Sequence, residues 1–267
     1  MNNEAYSNLW GEPTEYRGVK FYPLYVDNYN TYSLMLQLLG FSKNSINDIN
    51  IIHMSYLKFI LFEVKYDNID SLELLLQLLE RVTKKQLTRE CILFKPKNKV
   101  IQSIDDIDNI AIKFDNVMFN QTDFDKIREI ILEQNGVSLD YINQYDPTLE
   151  DKLVYTQKGI APIDFDEEIL SFSAYMKMPL NEIRKYTFYQ FKKTLSRINL
   201  LLDCQMFKPL EVSGQISFKD GSHINNWLDH EKPRGRYDSI LVSKDKFIKD
   251  NDFFKASEQI DNAQIIK

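Results

Sequence analysis

The sequence predicts an α+β fold, predominantly helical, with a small N-terminal sheet carrying helices and a helical C-terminal lobe. Three observations predict it. Apolar residues recur at three- and four-residue steps over several long runs, the signature of helices with one buried face. Short runs of β-branched and aromatic residues, bounded by polar turn residues, lie in the first 120 residues. Only 8 Gly and 8 Pro, beside 17 Phe and 15 Tyr, argue against a protein of many tight turns and suit aromatic packing of helices on a small sheet. A chain of 267 residues, 43% hydrophobic and 27% charged, can bury a sizeable core and is not a disordered polymer.

The elements follow in order. "GVKFYPLYV" at 18–26 reads as a strand, which Pro23 pushes toward a sheet edge or strand end. "TYSLMLQLL" at 31–39 has helical spacing, and Gly40 supplies a C-terminal stop. "IIHMSYLKFILFEV" at 51–64 is ambiguous between helix and strand by periodicity, with helix preferred. "IDSLELLLQLLERVTKK" is a clear helix: Asp70 or Ser71 can cap it, and its acidic residues precede its basic ones, as the helix dipole favours. "ECILFKPKN" and "NIAIKFDNVMF" read as two strands joined by the acidic turn "SIDDIDN". "NQTDFDKIREIILEQNGV" reads as a second clear helix, with Thr122 and Asp125 as a cap pair and Gly136 at its end.

Apolar density falls over 138–161, which reads as a linker or hinge between an α+β lobe at 1–137 and a helical lobe at 162–230. "DFDEEILSFSAYMKM" enters a helix at Asp164 to Asp166 and is ended by Pro179. "PLNEIRKY" is a helical turn. Residues 231–267 are charged and weakly patterned until "DFFKASEQI", and are expected to be a partly ordered tail.

The most patterned stretch is "YTFYQFKKTLSRINLLLDC" at 186–204. Thr187 and Gln190 form a capping box, which sets where the helix starts. Phe188, Phe191, Leu195, Ile198 and Leu202 then make one apolar stripe. Burying such side chains contributes roughly 1.5–3 kcal/mol each before entropy is counted. The stripe is therefore expected to be covered, either by the helix at 168–178 or by a partner.

Charge and composition exclude some functions. A formal charge of −6 and a pI near 5.3 oppose broad attraction to nucleic acid or anionic lipid. The N-terminus lacks a basic stretch followed by an apolar one, and the run at 51–64 is too short and too polar for a bilayer, so no signal peptide and no membrane segment are expected. Cys91 and Cys204 have no CxxC or metal-ligand spacing, which suits a reducing cytoplasm.

No residue cluster spells out a reaction. His223 and His230 are seven residues apart without an evident third ligand, and read as surface residues on a short helix anchored by Trp227. His53 reads as a core residue. The acidic clusters at 105–108 and 164–168 lack the glycine and terminal glutamate of a calcium loop and read as solvated turn and helix-start acids. Cys204 with His223 or His230 is the only nucleophile pair to name, and no flanking motif supports it. "EKPRGR" with Tyr237 has the composition of a small nucleic-acid contact but reads as a solvated linker. No catalytic residue, cofactor or metal is expected.

Three stretches carry a family resemblance: "FDKIREIILEQNGV", then "YTFYQFKKTLSRINLLLDCQMFKPLEVSG", then the Trp-containing "ISFKDGSHINNWLDH". With the opening "LWGEPTEYRGVKFYPLYVDNY", they resemble tail assembly chaperones and related tail-region proteins of tailed bacteriophages from low-GC Gram-positive hosts. The chain departs from that pattern by continuing for over thirty residues past Trp227 and by its weakly charged hinge. The resemblance implies a non-enzymatic protein that binds a phage tail protein, such as the tape-measure protein, in the host cytoplasm during assembly. Homo-oligomerisation is compatible with it. Phe188, Phe191, Leu195 and Trp227 are the expected partner-binding residues. A permanent tail or baseplate component of the virion, and a phage regulator that binds a host protein, are the alternatives.

Overall fold

The first helix, α1 (Asn3–Trp10), leads into a two-residue hairpin between β1 (Thr14–Tyr16) and β2 (Val19–Phe21), paired antiparallel with Tyr16 opposite Val19. Arg17 and Gly18 make the turn at φ 50° and 80°, the conformation that matches the twist of paired strands. In this computed structural model the described residues are 3–46, 48–65, 70–97, 107–156, 164–214, 226–228 and 236–237. The strand expected over 18–26 ends at Phe21, because the Tyr22 amide turns away to donate to the Val82 carbonyl at 2.6 Å and Pro23 has no amide to continue the ladder.

Helix α2 (Tyr29–Gly40) matches the expected run, with Leu38 and Leu39 fully buried. The preferred helix over 51–64 is two helices, α3 (Ile49–His53) and α4 (Tyr56–Phe62). They separate at Met54, which is extended, and Ser55, whose hydroxyl accepts from the Lys58 amide and starts α4 afresh. Helix α5 (Ser71–Thr83) begins at Asp70, whose carboxylate accepts from the Leu72 amide at 2.9 Å, and ends at left-handed Lys84.

A second, three-stranded antiparallel sheet has the order β3 (Ile92–Pro96), β4 (Ile107–Phe114), β5 (Val117–Phe119). The run expected as one strand over 109–119 is thus a hairpin, reversed at Asp115 with φ 50°. Of the acidic turn expected to precede it, residues 103–106 lie outside the described residues. Helix α6 (Gln121–Gln134) has its capping box two residues earlier than expected. The Asn120 side chain accepts from the Asp123 amide at 2.9 Å, and the Asp123 carboxylate accepts from the Asn120 amide at 3.0 Å. Thr122 and Asp125 lie inside the helix.

The segment expected as a linker holds α7 (Leu139–Asn143), capped by Ser138, and α8 (Pro147–Thr156). Then come α9 (Phe165–Met176), ended by left-handed Lys177, α10 (Leu180–Ile183) and the long α11 (Phe188–Val212). Contacts group residues 1–147 with 161–198 in one compact unit, and 148–160 with 199–267 in another. This division differs from the expected lobes for a physical reason. Phe165, Phe172, Phe188 and Phe191 belong to the same buried cluster as Phe21, Leu75 and Phe124, so α9 and the start of α11 complete the N-terminal core. The mostly helical α+β class is as the sequence predicts.

Candidate functional site

The start of α11 is built as its sequence specifies. The Thr187 amide donates to the Gln190 side-chain oxygen at 2.9 Å, and the Gln190 amide donates to the Thr187 hydroxyl at 3.2 Å. The Gln190 side-chain amide also donates to the Leu9 carbonyl at 3.0 Å, joining this cap to the end of α1. The Phe188 amide donates to the Leu24 carbonyl at 3.0 Å and the Val26 amide to the Tyr186 carbonyl at 3.0 Å, so the extended chain after β2 docks on the helix start.

That position places the expected partner-binding residues differently from one another. Phe191 is fully buried, with ring centroids 5.4 Å from Phe165 and 5.0 Å from Phe172, and Phe188 packs 5.9 Å from Phe165. Leu195 is half-buried against the same core. The assignment of Phe188 and Phe191 to a surface is therefore corrected: α9 already covers them, and no partner could reach them without opening the core. Lys192 seals this cluster, with its ammonium 5.3 Å from the Phe165 ring and paired with Glu168 at 2.5 Å. Trp227 is described as exposed in a turn.

The exposed apolar side chains of α11 lie instead in its C-terminal half, in the second unit. Leu202 is 36% exposed, Met206 62% and Phe207 38%, with Val212 exposed at the end. Leu202 and Met206 are one turn apart and share a face. The patterned stretch singled out in the sequence ends at Cys204. The helix runs through Pro209, and the Pro209 carbonyl accepts from the Ser213 amide at 3.0 Å. In the same unit, Val154 and Tyr155 on α8 and Leu228 are also exposed.

Glu150 on α8 accepts from both Arg236 nitrogens, at 2.8 and 2.7 Å, and from the Tyr237 hydroxyl at 3.1 Å. The Arg236 hydrogen bonds hold the Glu150 carboxyl below its ordinary pKa, against a smaller upward push from burial. Tyr237 is buried, so this point of "EKPRGR" and the following tyrosine is fixed to α8, which corrects the solvated-linker reading for these two residues.

Two polar clusters escaped the sequence reading. Arg128 on α6 is buried, stacks with its guanidinium carbon 3.5 Å from the Tyr56 ring centroid, and donates through Nε to the Leu39 carbonyl at 2.6 Å. Lys43 lies over the same ring and donates to the Ile52 and Met54 carbonyls at the end of α3. Burial lowers the pKa of both cations and raises that of Tyr56. The signal was present: Arg128 sits between Phe124 and Ile131 on the apolar face of α6. In the second cluster Asp123 accepts from the Tyr16 hydroxyl at 2.9 Å and from Arg17 at 2.5 Å, fastening the β1–β2 hairpin to the start of α6.

His53 is exposed at the end of α3, which corrects its expected place in the core: α3 buries none of its residues. His223 and His230 lie outside the described residues, and Cys91 and Cys204 are half-buried free thiols. Among the described residues no group of three or more His, Cys, Asp or Glu is placed to hold a metal, and no helix is long and apolar enough to cross a membrane. Comparison with protein-family models, curated proteins and solved structures gives no match to this chain.

Proposed function

We propose that this chain is a non-enzymatic tail-morphogenesis protein of a tailed bacteriophage, which holds a tail component such as the tape-measure protein in the host cytoplasm during assembly. The observation that carries the protein-binding part of this reading is the exposed apolar face of α11 at Leu202, Met206 and Phe207. Large apolar side chains grouped on one helix, in the unit that also exposes Val154 and Tyr155, are costly to leave in water and are characteristic of surfaces that meet other proteins. Methionine at the centre of such a face adapts to varied apolar partners. The phage assignment is supported by the resemblance of "YTFYQFKKTLSRINLLLDCQMFKPLEVSG", which contains this face.

The face is distinct from the core-building half of the same helix, which separates folding from binding by position. Met206→Asp is expected to leave the fold intact and to abolish capture of the tape-measure protein on co-expression. Retained capture by Met206→Asp, with an unchanged melting temperature, would remove α11 as the binding surface.

A further inference from the structure

We propose that Arg128 and Lys43, gathered at the Tyr56 ring, form a binding site for a small oxyanion of the phosphate or carboxylate class. Three segments meet there: Lys43 follows α2, Tyr56 opens α4 and Arg128 lies in the middle of α6. The Arg128 guanidinium carbon is 3.5 Å and the Lys43 ammonium 4.9 Å from the ring centroid. Backbone carbonyls hold all three side chains in place. Arg128 Nε donates to the Leu39 carbonyl at 2.6 Å, Lys43 donates to the Ile52 and Met54 carbonyls at 2.9 and 2.5 Å, and the Tyr56 hydroxyl donates to the Phe41 carbonyl at 3.1 Å. These carbonyls at or just past the ends of α2 and α3 orient the cations, but as partial charges they do not neutralise them.

Donors remain unused at this point. Arg128 is only 3% exposed, yet its Nη2 has no acceptor. A buried donor without a partner is costly, and more so when it belongs to a cation. An ammonium carries three donors, of which the two carbonyls take two of Lys43's. Among the described residues no ion pair joins either cation to a carboxylate. Asp125, one turn before Arg128 on α6, favours the charged form of both from a distance and is itself exposed. Lys43 is half-buried, so with Asp125 it places the cluster at the border of solvent. An oxyanion accepting from Arg128 Nη2 through one oxygen and from Lys43 through another supplies the missing acceptor and the missing charge together. The guanidinium fork suits phosphate and carboxylate geometry, and the ammonium adds a point charge.

The site belongs to the compact unit that does not carry the exposed α11 face, and it stands independently of the tail-protein reading. Thermal unfolding of the full-length chain against inorganic phosphate, and separately against acetate, tests it, with ionic strength held constant by sodium chloride. Each tenfold increase of phosphate above its Kd is expected to raise the wild-type melting temperature by roughly 2–4 °C. The rise is expected to be lost in Arg128→Met and in Lys43→Met. Loss of Arg128 also removes buried packing, so Lys43→Met keeps the test valid if Arg128→Met does not fold. What is read is the dependence on anion, not the starting melting temperature, which either substitution lowers through its lost carbonyl bonds. A rise with phosphate alone assigns the site to phosphate groups, and a rise with acetate as well assigns it to small oxyanions in general. No rise with either anion in wild type, or a rise of equal size in Lys43→Met, overturns the proposal.

Discussion

Asp123 links two parts of the chain through one carboxylate. Burial pushes its pKa up, but the Asn120 amide, the Tyr16 hydroxyl and the Arg17 guanidinium together hold it below the ordinary aspartate value. A carboxyl whose pKa is depressed by folding contributes stability above its unfolded pKa, about 3.9, and that contribution is lost as pH falls through the lower folded value. Asp123→Asn is expected to cost about 1–3 kcal/mol at neutral pH, the usual range for lost charge-assisted hydrogen bonds. Urea melts of wild type and variant should begin to converge as pH falls below about 4, and should coincide only once pH has passed the lower folded value. Arg128 makes a second residue-scale prediction. Lysine cannot both stack on Tyr56 and donate to the Leu39 carbonyl as the planar guanidinium does. Arg128→Lys is expected to lower stability by about 1–3 kcal/mol in the same assay, despite retaining the charge.

At the scale of elements, the capping box at Thr187 and Gln190 was legible because both partners are three residues apart and precede an apolar run. The box on α6 was misplaced by two residues, because Asn120–Asp123 and Thr122–Asp125 have the same spacing and the chain offers both. What decides is the hairpin: Tyr16 and Arg17 bind the Asp123 carboxylate from a distant part of the sequence, which no local pattern reveals. The β4–β5 reversal at Asp115 was hidden because Asp-Asn at 115–116 lacks the glycine that usually marks such a turn. The end of α11 lies beyond the patterned stretch at 186–204, and Pro209, a residue that usually stops a helix, sits inside the helix. Thr187→Ala should cost about 0.5–2 kcal/mol, read from thermal or chemical unfolding, because it leaves the Gln190 amide without its cap. Phe191→Ala should cost about 3–5 kcal/mol, since it empties a site enclosed by Phe165 and Phe172.

For the whole molecule, the helical α+β class followed from periodicity, but the grouping of elements did not. The helix at 165–176 and the first half of α11 look in sequence like a separate lobe, yet their phenylalanines complete the core begun by β2, α5 and α6. Long-range burial of this kind leaves no local signal. The same ambiguity affected the candidate site. One stripe from Phe188 to Leu202 looks uniform in sequence, while its first part is core and Leu202 is exposed with the residues that follow it. The surface thus became visible only when the fold assigned a cover to Phe188 and Phe191.

The central claim is that this exposed half of α11 holds a tail protein during assembly. Its most direct test is co-expression of the tagged full-length chain, as wild type and as Met206→Asp, with a phage tape-measure protein, the client proposed above. Capture is quantified by mass spectrometry, with purified virions analysed in parallel. The account predicts strong capture by wild type, at least a tenfold loss with Met206→Asp at unchanged stability, and absence of the chain from virions. No capture by wild type, or presence of the chain in virions at fixed copy number, would contradict it.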